Sequence, residues 1–600
     1  AFTLVELLVT IVIIGLIALM GFPSLQRMLN DNATKEIEIY GRSMISAAKM
    51  YMQKEGRDIN ENANSKLELE GNGYMIGLKT LIDQDYIETF KPSKKNIQCD
   101  LDNASVRVRK ETQNTLKYDY KLKCTYKDKV YRKSYDDTTP NITKKEDLAL
   151  ENVMSNNTKG NYHSSEYRTK VTKIITKNVI SIPANIVGKW DVSQANDGSV
   201  IAYAENDGNG GYIITICSDG KTYLNGNYDY LFFNFSALVD IDLSNFNTNK
   251  VISMKAMFGN CNNLQKINLS SFDTSQVTSM SNMFNGCNKL SNLDLSNFNT
   301  SKVIMMENLL YDCYNLENIN LGSFDTTNVI NMSSMFNNCK RLTSLDISNF
   351  KTSNVRYMDY MFAHCNKIST LDLSNFDTSN VTTMAGMFYG CKGLTNLNIS
   401  NFKTQKVTDM NRMFCGCALT SIDLSNFNTS AVKDMGEMFA GSSFIQLNLN
   451  NFNTSQVTNM SQMFNRCSKL TTLDLSNFDT RKVTMMTDMF SFCRSLISLN
   501  LSNFDTSQVI NMANMFEWCD KLTNLDLGSF NTSILANTSY MFSRCTSLRT
   551  INLSKAVFTK VTNSSDMFDG TSNLTVKVKD EAAKTFLTSK LGSHGTAVIA

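Results

Sequence analysis

Residues 277–302 read VTSMSNMFNGCNKLSNLDLSNFNTSK, a pattern that recurs with small changes from about residue 241 to residue 575. The pair Met-Phe, replaced once by Leu-Leu, marks its thirteen turns, with steps of 26 residues except for two steps of 25. Because one turn cannot bury its own apolar face, neighbouring turns must stack, and the pattern predicts a solenoid.

Each turn combines two apolar periodicities. Between Val277 and Phe284 the apolar positions step by three, three and one, which predicts one inward face of a short helix. Leu293 and Leu295 then alternate as in a strand. We therefore expect an α/β solenoid in which every turn contributes a short helix and a strand.

Composition agrees with stacked strands. The 600 residues include four prolines, the last of them Pro183, and none lies in the repeats. Proline would remove a ladder hydrogen bond from a stacked strand. The net charge of +3, from 59 basic and 56 acidic residues, gives no global field that favours nucleic acid as a partner.

Eleven of the 15 cysteines occupy one position, three residues after the Met-Phe phenylalanine, and Ser442 and Thr571 complete this Cys column. A metal site would place its cysteines two or three residues apart, not 26. Disulfides between adjacent turns are conceivable by distance, but the pattern favours buried thiols that act as small apolar groups. The column members are Cys261, Cys287, Cys313, Cys339, Cys365, Cys391, Cys417, Cys467, Cys493, Cys519 and Cys545.

Catalytic motifs are absent from the sequence. It contains no phosphate-binding Walker loop, no Gly-x-Ser-x-Gly elbow and no His-Glu-x-x-His pair. The three histidines, His163, His364 and His594, are isolated, which leaves little for acid–base or metal chemistry. We expect no enzyme activity, no cofactor and no metal.

One position of the turn suggests a binding surface. The residue two after the Met-Phe phenylalanine is usually small or polar, but four successive turns carry Arg466, Phe492, Trp518 and Arg544. Stacking would align these four residues, here called the stripe, as two aromatic residues with a basic residue at each end. Such a stripe fits a glycan or protein contact. The alternative is ordinary variation among scattered surface aromatics.

The sequence Leu-Asp-Leu-Ser-Asn-Phe-Asp-Thr-Ser, followed by Met-x-x-Met-Phe-x-x-Cys, resembles BspA-type leucine-rich repeat surface proteins. The flanking segments, from Trp190 onward and up to Leu591, resemble those that precede and close the repeats in that family. The resemblance implies an extracellular adhesion or interaction protein with an unknown protein or glycan ligand.

The first residues form a separate module. Phe2 to Met20 is an apolar run with one charge, Glu6, and as a helix it is long enough to cross a bilayer. Phe2-Thr3-Leu4-Val5-Glu6, Gly15 and Pro23 resemble the N-terminal helix of type IV pilins. A plain membrane anchor is the alternative interpretation.

The pilin resemblance implies roles for three residues. Phe2 would be the methylated first residue, Glu6 would pair with a neighbouring subunit's N-terminus, and Pro23 would kink the helix. Ala1 stands where that family has its last leader residue. Other pilin subunits would be the partners, with the chain in the inner or cytoplasmic membrane before assembly and in an extracellular pilus or pseudopilus afterwards.

The polar middle of the chain resembles a small pilin-type α+β head. Cys99 and Cys124 bracket a predicted hairpin there and could form a disulfide in an oxidising compartment.

Together these features predict an α/β chain with a long N-terminal transmembrane helix, a small α+β pilin-like head and a leucine-rich-repeat-like solenoid. The expected segments are the helix (1–55), head and linker (56–177), N-terminal cap (178–240), solenoid (241–575) and C-terminal cap (576–600). We expect a pilin-like cell-surface subunit, in a minor or tip position, that displays the solenoid for adhesion. The alternatives are a major filament subunit with a non-binding coat and a solitary anchored adhesin.

Overall fold

The computed structural model describes residues 154–155 and 162–600 in full, together with the backbone of six strands between residues 68 and 133. The chain forms two compact units, residues 1–147 and 148–600. The predicted helix over residues 1–55, with Phe2, Glu6 and Pro23, lies outside the described residues. Within the described part of the chain, no helix has the length and apolarity needed to cross a membrane.

The first unit contains a sheet in the order β1-β2-β4-β5-β3, with β6 beside β5, and all its described pairings are antiparallel. Cys99 in β3 lies directly opposite Cys124 in β5. This register is the one that a disulfide between them would need, and that disulfide stays a prediction. The strands are β1 Glu68–Glu70, β2 Gly73–Gly77, β3 Ile97–Cys99, β4 Ser105–Thr112, β5 Thr115–Tyr126 and β6 Lys129–Lys133.

A six-stranded sheet begins the second unit, in the order β14-β12-β7-β10-β9-β8. Strand β7 lies between β10 and β12 and is parallel to both, so the N-terminal cap starts before the boundary that we placed at residue 178. A four-residue helix, α1 Ser165–Arg168, precedes β7. The strands are β7 Val171–Lys177, β8 Gly188–Asp191, β9 Val200–Asn206, β10 Tyr212–Ser218, β11 Thr222–Asn227, β12 Asp240–Asp242, β13 Phe246–Ser253 and β14 Lys266–Asn268.

The repeats stack through two parallel ladders. Three-residue strands pair in register, as β15 does with β16 through Leu293 and Ile319. A second ladder joins one residue of each turn to the next in single bridges, from Ser253 to Asn563. The strands are β15 Asn292–Asp294, β16 Asn318–Asn320, β17 Thr370–Asp372, β18 Asn396–Asn398, β19 Thr472–Asp474, β20 Ser498–Asn500, β21 Asn524–Asp526 and β22 Thr550–Leu553.

The predicted helix in each turn is wrong, and so is the α/β fold class: the described residues form mostly strands with two short α-helices, neither of which could cross a membrane. Asn282 and Gly286 have φ of 59° and 75°, left-handed angles that interrupt a right-handed helix. The N–H of Phe258 bonds the carbonyl of Met283 in the next turn, at 2.9 Å, rather than a carbonyl four residues back. The described repeats consist of short strands and tight turns.

Two columns of phenylalanine fill the core. Phe258 and Phe284 of the Met-Phe column are fully buried, with ring centroids 5.5 Å apart and planes 13° from parallel. Phe272 and Phe298 of the Ser-Asn-Phe column stack in the same way at 6.4 Å. Burying one such side chain stabilises the fold by about 2–3 kcal/mol.

Polar columns tie the turns together. The Thr300 hydroxyl donates to the carbonyl of Asp325 at 2.9 Å and accepts the N–H of the same residue at 2.8 Å. The amide of Asn297 donates to the carbonyls of Leu269 and Phe272. Since these polar groups are paired from one turn to the next, the register of the stack is fixed.

A small cap closes the repeats. Strands β23 Leu574–Val578 and β24 Gly595–Ile599 extend the parallel ladder from β22. Helix α2, Glu581–Leu591, connects them; the Asp580 side chain caps its first turn, and a 3-10 turn, Gly592–His594, follows. Within residues 162–600, α1 and α2 are the two α-helices.

Candidate functional site

The stripe lies on a column of residues with left-handed backbone. The position two residues after each Met-Phe phenylalanine has positive φ on every turn from Asn260 to Gly570. Eight of its thirteen members are Gly, Asn or Asp, the residues that tolerate this conformation best, and a ninth is histidine. The remaining four are Arg466, Phe492, Trp518 and Arg544, with φ of 59°, 60°, 58° and 61°.

These four backbones are strained. A residue with a Cβ is disfavoured in the left-handed region by roughly 1–2 kcal/mol. An aromatic side chain cannot lower this cost by a local hydrogen bond, as Asn and Asp side chains can. The sequence uses glycine at the same position on Gly390, Gly416 and Gly441. The other left-handed column of the repeat also carries large residues, at Tyr360, Arg412 and Tyr540, but the stripe carries four on consecutive turns. Strained residues cluster at functional sites.

Stacking brings the stripe residues into contact. The rings of Phe492 and Trp518 are 5.9 Å apart between centroids and 17° from parallel. The guanidinium of Arg466 lies 4.8 Å from the Phe492 ring, and that of Arg544 lies 5.6 Å from the Trp518 ring. The result is a continuous column of guanidinium, two rings and guanidinium, at distances where cation–π attraction operates.

A further arginine that we did not predict joins this column. The guanidinium of Arg494 lies 4.5 Å from the Trp518 ring and 5.6 Å from the Phe492 ring. It follows Cys493 directly, so the stacking of turns brings it beside the stripe. A comparison of the residues next to the Cys column, turn by turn, would have shown it.

The charges of the stripe are unequally compensated. Arg544 pairs with Asp569 at 3.1 Å. Among the residues that the structure describes, neither Arg466 nor Arg494 has an ion-pair partner. Both are exposed, whereas Phe492 and Trp518 are half-buried. Two guanidinium groups therefore face solvent, each oriented by an aromatic ring.

Acidic side chains near the stripe are poorly solvated. Burial raises the pKa of Glu517, and the nearby Asp488 raises it further, while Arg466 and Arg544 act in the opposite direction. Burial likewise raises the pKa of Asp488.

The Cys column is structural. All eleven thiols are buried and free, which confirms the prediction of buried thiols and removes the alternative of disulfides between turns. Ten of the thiols donate to a phenylalanine carbonyl of the preceding turn, as Cys287 Sγ does to Phe258 O at 3.3 Å, and Cys339 donates to the carbonyl of Leu310. Burial raises the pKa of Cys313 to about 12.

No group of three His, Cys, Asp or Glu side chains in the described residues could hold a metal ion. His163 is buried, and its Nε2 lies 2.6 Å from the carbonyl oxygen of Leu231. Desolvation lowers the pKa of His163 to about 3, and burial also lowers the pKa of His364.

The repeat architecture and its columns define a solenoid of short parallel strands. A family model described as "Mycoplasma protein of unknown function, DUF285" matches residues 227–342, 312–417, 391–496 and 469–580. These segments overlap and cover more than half of the chain, which therefore belongs to the DUF285 family. No curated protein matches the sequence.

The family match corrects one identification. It spans residues 227–580, which contain the repeats that resemble BspA-type proteins, and no match supports the type IV pilin resemblance of residues 1–55. The identification of the chain as a type IV pilin fused to a BspA-type protein is therefore wrong, and membership of the DUF285 family replaces it. The roles of Phe2, Glu6 and Pro23 concern residues outside the described part of the chain and stay predictions.

Proposed function

We propose that this DUF285 protein is a binding protein of the cell surface, whose repeats display the stripe to an extracellular protein or glycan. The observation that carries the proposal is the strain of the stripe. Four large residues occupy consecutive turns of a column where most other turns carry Gly, Asn or Asp. Because large residues at these left-handed positions destabilise the fold locally, we infer that they are present to bind a ligand.

The scaffold suits such a role. The stripe residues follow a core column of fully buried phenylalanines, such as Phe490 and Phe516, whose rings are 5.6 Å apart. A surface held by packed columns loses little conformational entropy on binding, which favours affinity.

The test replaces the two rings by asparagine, which the column carries at Asn260 and Asn338. Phe492→Asn with Trp518→Asn keeps left-handed geometry accessible and removes the aromatic surface. We expect cells or beads that carry the full chain to lose most of their adherence to the target surface when it has this double substitution.

A matched control removes apolar surface elsewhere. Met485 and Ile510 are 50% and 56% exposed on other columns, so Met485→Ala with Ile510→Ala should leave adherence unchanged. Equal adherence of the stripe variant and the parent, with equal surface amounts verified by protease treatment of whole cells, would refute the proposal.

A further inference from the structure

A line of positive charge follows the Cys column. We define the basic corner as the two positions after each cysteine of that column. Apart from one acid, Asp520, the charged residues at these positions are all basic, although the whole chain has 59 basic and 56 acidic residues. The eight basic residues are Lys289, Lys340, Arg341, Lys367, Lys392, Lys469, Arg494 and Lys521, and all eight are exposed.

Few of these charges form ion pairs, and the Asp520 carboxylate interacts electrostatically with Arg494 and Lys521. Arg341 pairs with Glu317 at 2.5 Å, and the Lys340 ammonium lies 4.4 Å from the Tyr314 ring. Among the described residues, the other six have no ion-pair partner. Lys340 and Lys392 both act to lower the pKa of His364, after the larger effect of its burial, and Asp312 acts in the opposite direction.

The basic corner is continuous with the stripe, since Arg494 belongs to the corner and contacts both stripe rings. With turns about 4.8 Å apart, the nine steps from Lys289 to Lys521 extend roughly 43 Å. The two shortened turns, after Cys417 and Ser442, carry no charge at the corner and separate two basic segments. A groove of about 590 Å³ lies beside Lys289 and Arg341.

We propose that the basic corner and the stripe together bind a linear acidic polysaccharide, with carboxylates or sulfates along its chain, laid across successive turns. The inference rests on the proposed function and names its ligand class. A line of cations at regular spacing complements a polymer with regularly spaced anions. Arginines fixed against rings present their N–H groups outward, where carboxylate and sulfate oxygens accept them.

Two other polyanions fit the geometry less well. Single-stranded nucleic acid is held by bases that stack on open aromatic faces. Phe492 and Trp518 cover each other, and Arg466 and Arg544 lie over them. An acidic protein would need apolar anchors in a central pocket, whereas the corner is a line of exposed cations.

The experiment measures binding of the purified full chain to heparin, a sulfated polysaccharide, and to polygalacturonate, a carboxylated one. The corner variant carries Lys340→Gln, Lys367→Gln and Lys392→Gln. The control variant carries Lys302→Gln, Lys406→Gln and Lys482→Gln, which removes the same charge from three exposed lysines off the corner. We expect the corner variant to bind at least about tenfold more weakly and the control to stay within about twofold of the parent.

Other results would overturn the inference. Equal weakening of both variants would mean that overall charge is responsible, and absence of parental binding to either polysaccharide would remove this ligand class. Tighter binding to DNA or to an acidic polypeptide than to either polysaccharide would also contradict it. If the polysaccharide inference fails, the proposed function can still be tested separately. The adherence of the variant with Phe492→Asn and Trp518→Asn is measured against the target surface without a polysaccharide probe.

Discussion

The ring of Phe492 stacks on the ring of Trp518 with centroids 5.9 Å apart, although both residues have left-handed backbones with φ of 60° and 58°. A left-handed backbone disfavours each residue by roughly 1–2 kcal/mol, whereas such a ring pair contributes about 0.5–1.5 kcal/mol. The contact at best offsets part of the strain, so the stripe contributes little to the stability of the fold.

The first prediction compares neighbouring positions of one turn. Phe492→Asn should change the free energy of unfolding by less than about 1 kcal/mol, because relieved strain opposes lost stacking. Phe490→Ala should lower it by about 3–5 kcal/mol, since the Phe490 ring is fully buried between Phe464 and Phe516. Urea unfolding followed by circular dichroism measures both. A loss of several kcal/mol for Phe492→Asn would mean that the stripe is structural.

The threonine column should be sensitive to a substitution that preserves shape. Thr300→Val leaves the carbonyl and N–H of Asp325 without the hydroxyl that now bonds both. At about 1–3 kcal/mol for an unpaired buried group, we expect a loss of roughly 2–4 kcal/mol in the free energy of unfolding. Thr484→Val, at an exposed threonine of another column, should cost less than about 1 kcal/mol and serves as the control. Similar effects for the two variants would contradict the role of the buried column.

A glycine under an aromatic ring provides another comparison. A Cβ on Gly386, at φ 57°, would lie 2.2 Å from the Tyr360 ring, whereas one on Gly210, at φ 87°, would meet nothing within 4 Å. Gly386→Ala should therefore destabilise the fold by about 1–3 kcal/mol more than Gly210→Ala, which carries the backbone strain alone. Thermal unfolding of the two variants tests this difference, and equal midpoints would contradict the packing of Tyr360 over Gly386.

The buried thiols should make the fold sensitive to alkali. Burial raises the pKa of Cys313 from an ordinary value near 9 to about 12 and raises the pKa of Cys365 as well. Above the ordinary value, an unfolded thiol loses its proton while the folded thiol keeps it, so the unfolded state binds fewer protons. The stabilisation is complete below about pH 9 and is lost as pH rises toward 12.

Urea midpoints at about pH 8 and about pH 10 measure this effect, and we expect the lower midpoint at the higher pH. Cys365→Ser removes one buried thiol and should reduce the difference. Serine is tolerated in the column, since Ser442 donates to the carbonyl of Phe439 in its own turn at 2.6 Å. A midpoint that does not fall between the two pH values would contradict this account of the column.

Strict periodicity made much of the fold readable from the sequence. The 26-residue step predicts stacking, and the columns of phenylalanine, cysteine and threonine identify the inward positions. The same step aligns the stripe, because residues at one position of successive turns must be neighbours. Arg494 was missed because it lies two residues after the stripe position of its own turn. Its guanidinium contacts both Phe492 and Trp518, which belong to neighbouring turns.

Apolar spacing alone could not show that the predicted helix in each turn was wrong. Steps of three, three and one fit a helix face, but they also fit two consecutive tight turns with a left-handed residue between them. The informative signal was Asn282 and Gly286, four residues apart, whose equivalents recur as Asn308 and Asp312. The pilin resemblance rested on a few residues at the start of the chain, and the family match to the repeats does not extend to them.

The central claim is that the stripe binds a ligand and does not hold the fold together. The most direct test measures adherence and unfolding on the same protein, with Phe492→Asn and Trp518→Asn combined. We predict a loss of adherence of at least about tenfold, with a free energy of unfolding within about 2 kcal/mol of the parent. Retained adherence would contradict the claim, and so would a loss of adherence accompanied by unfolding of the repeats.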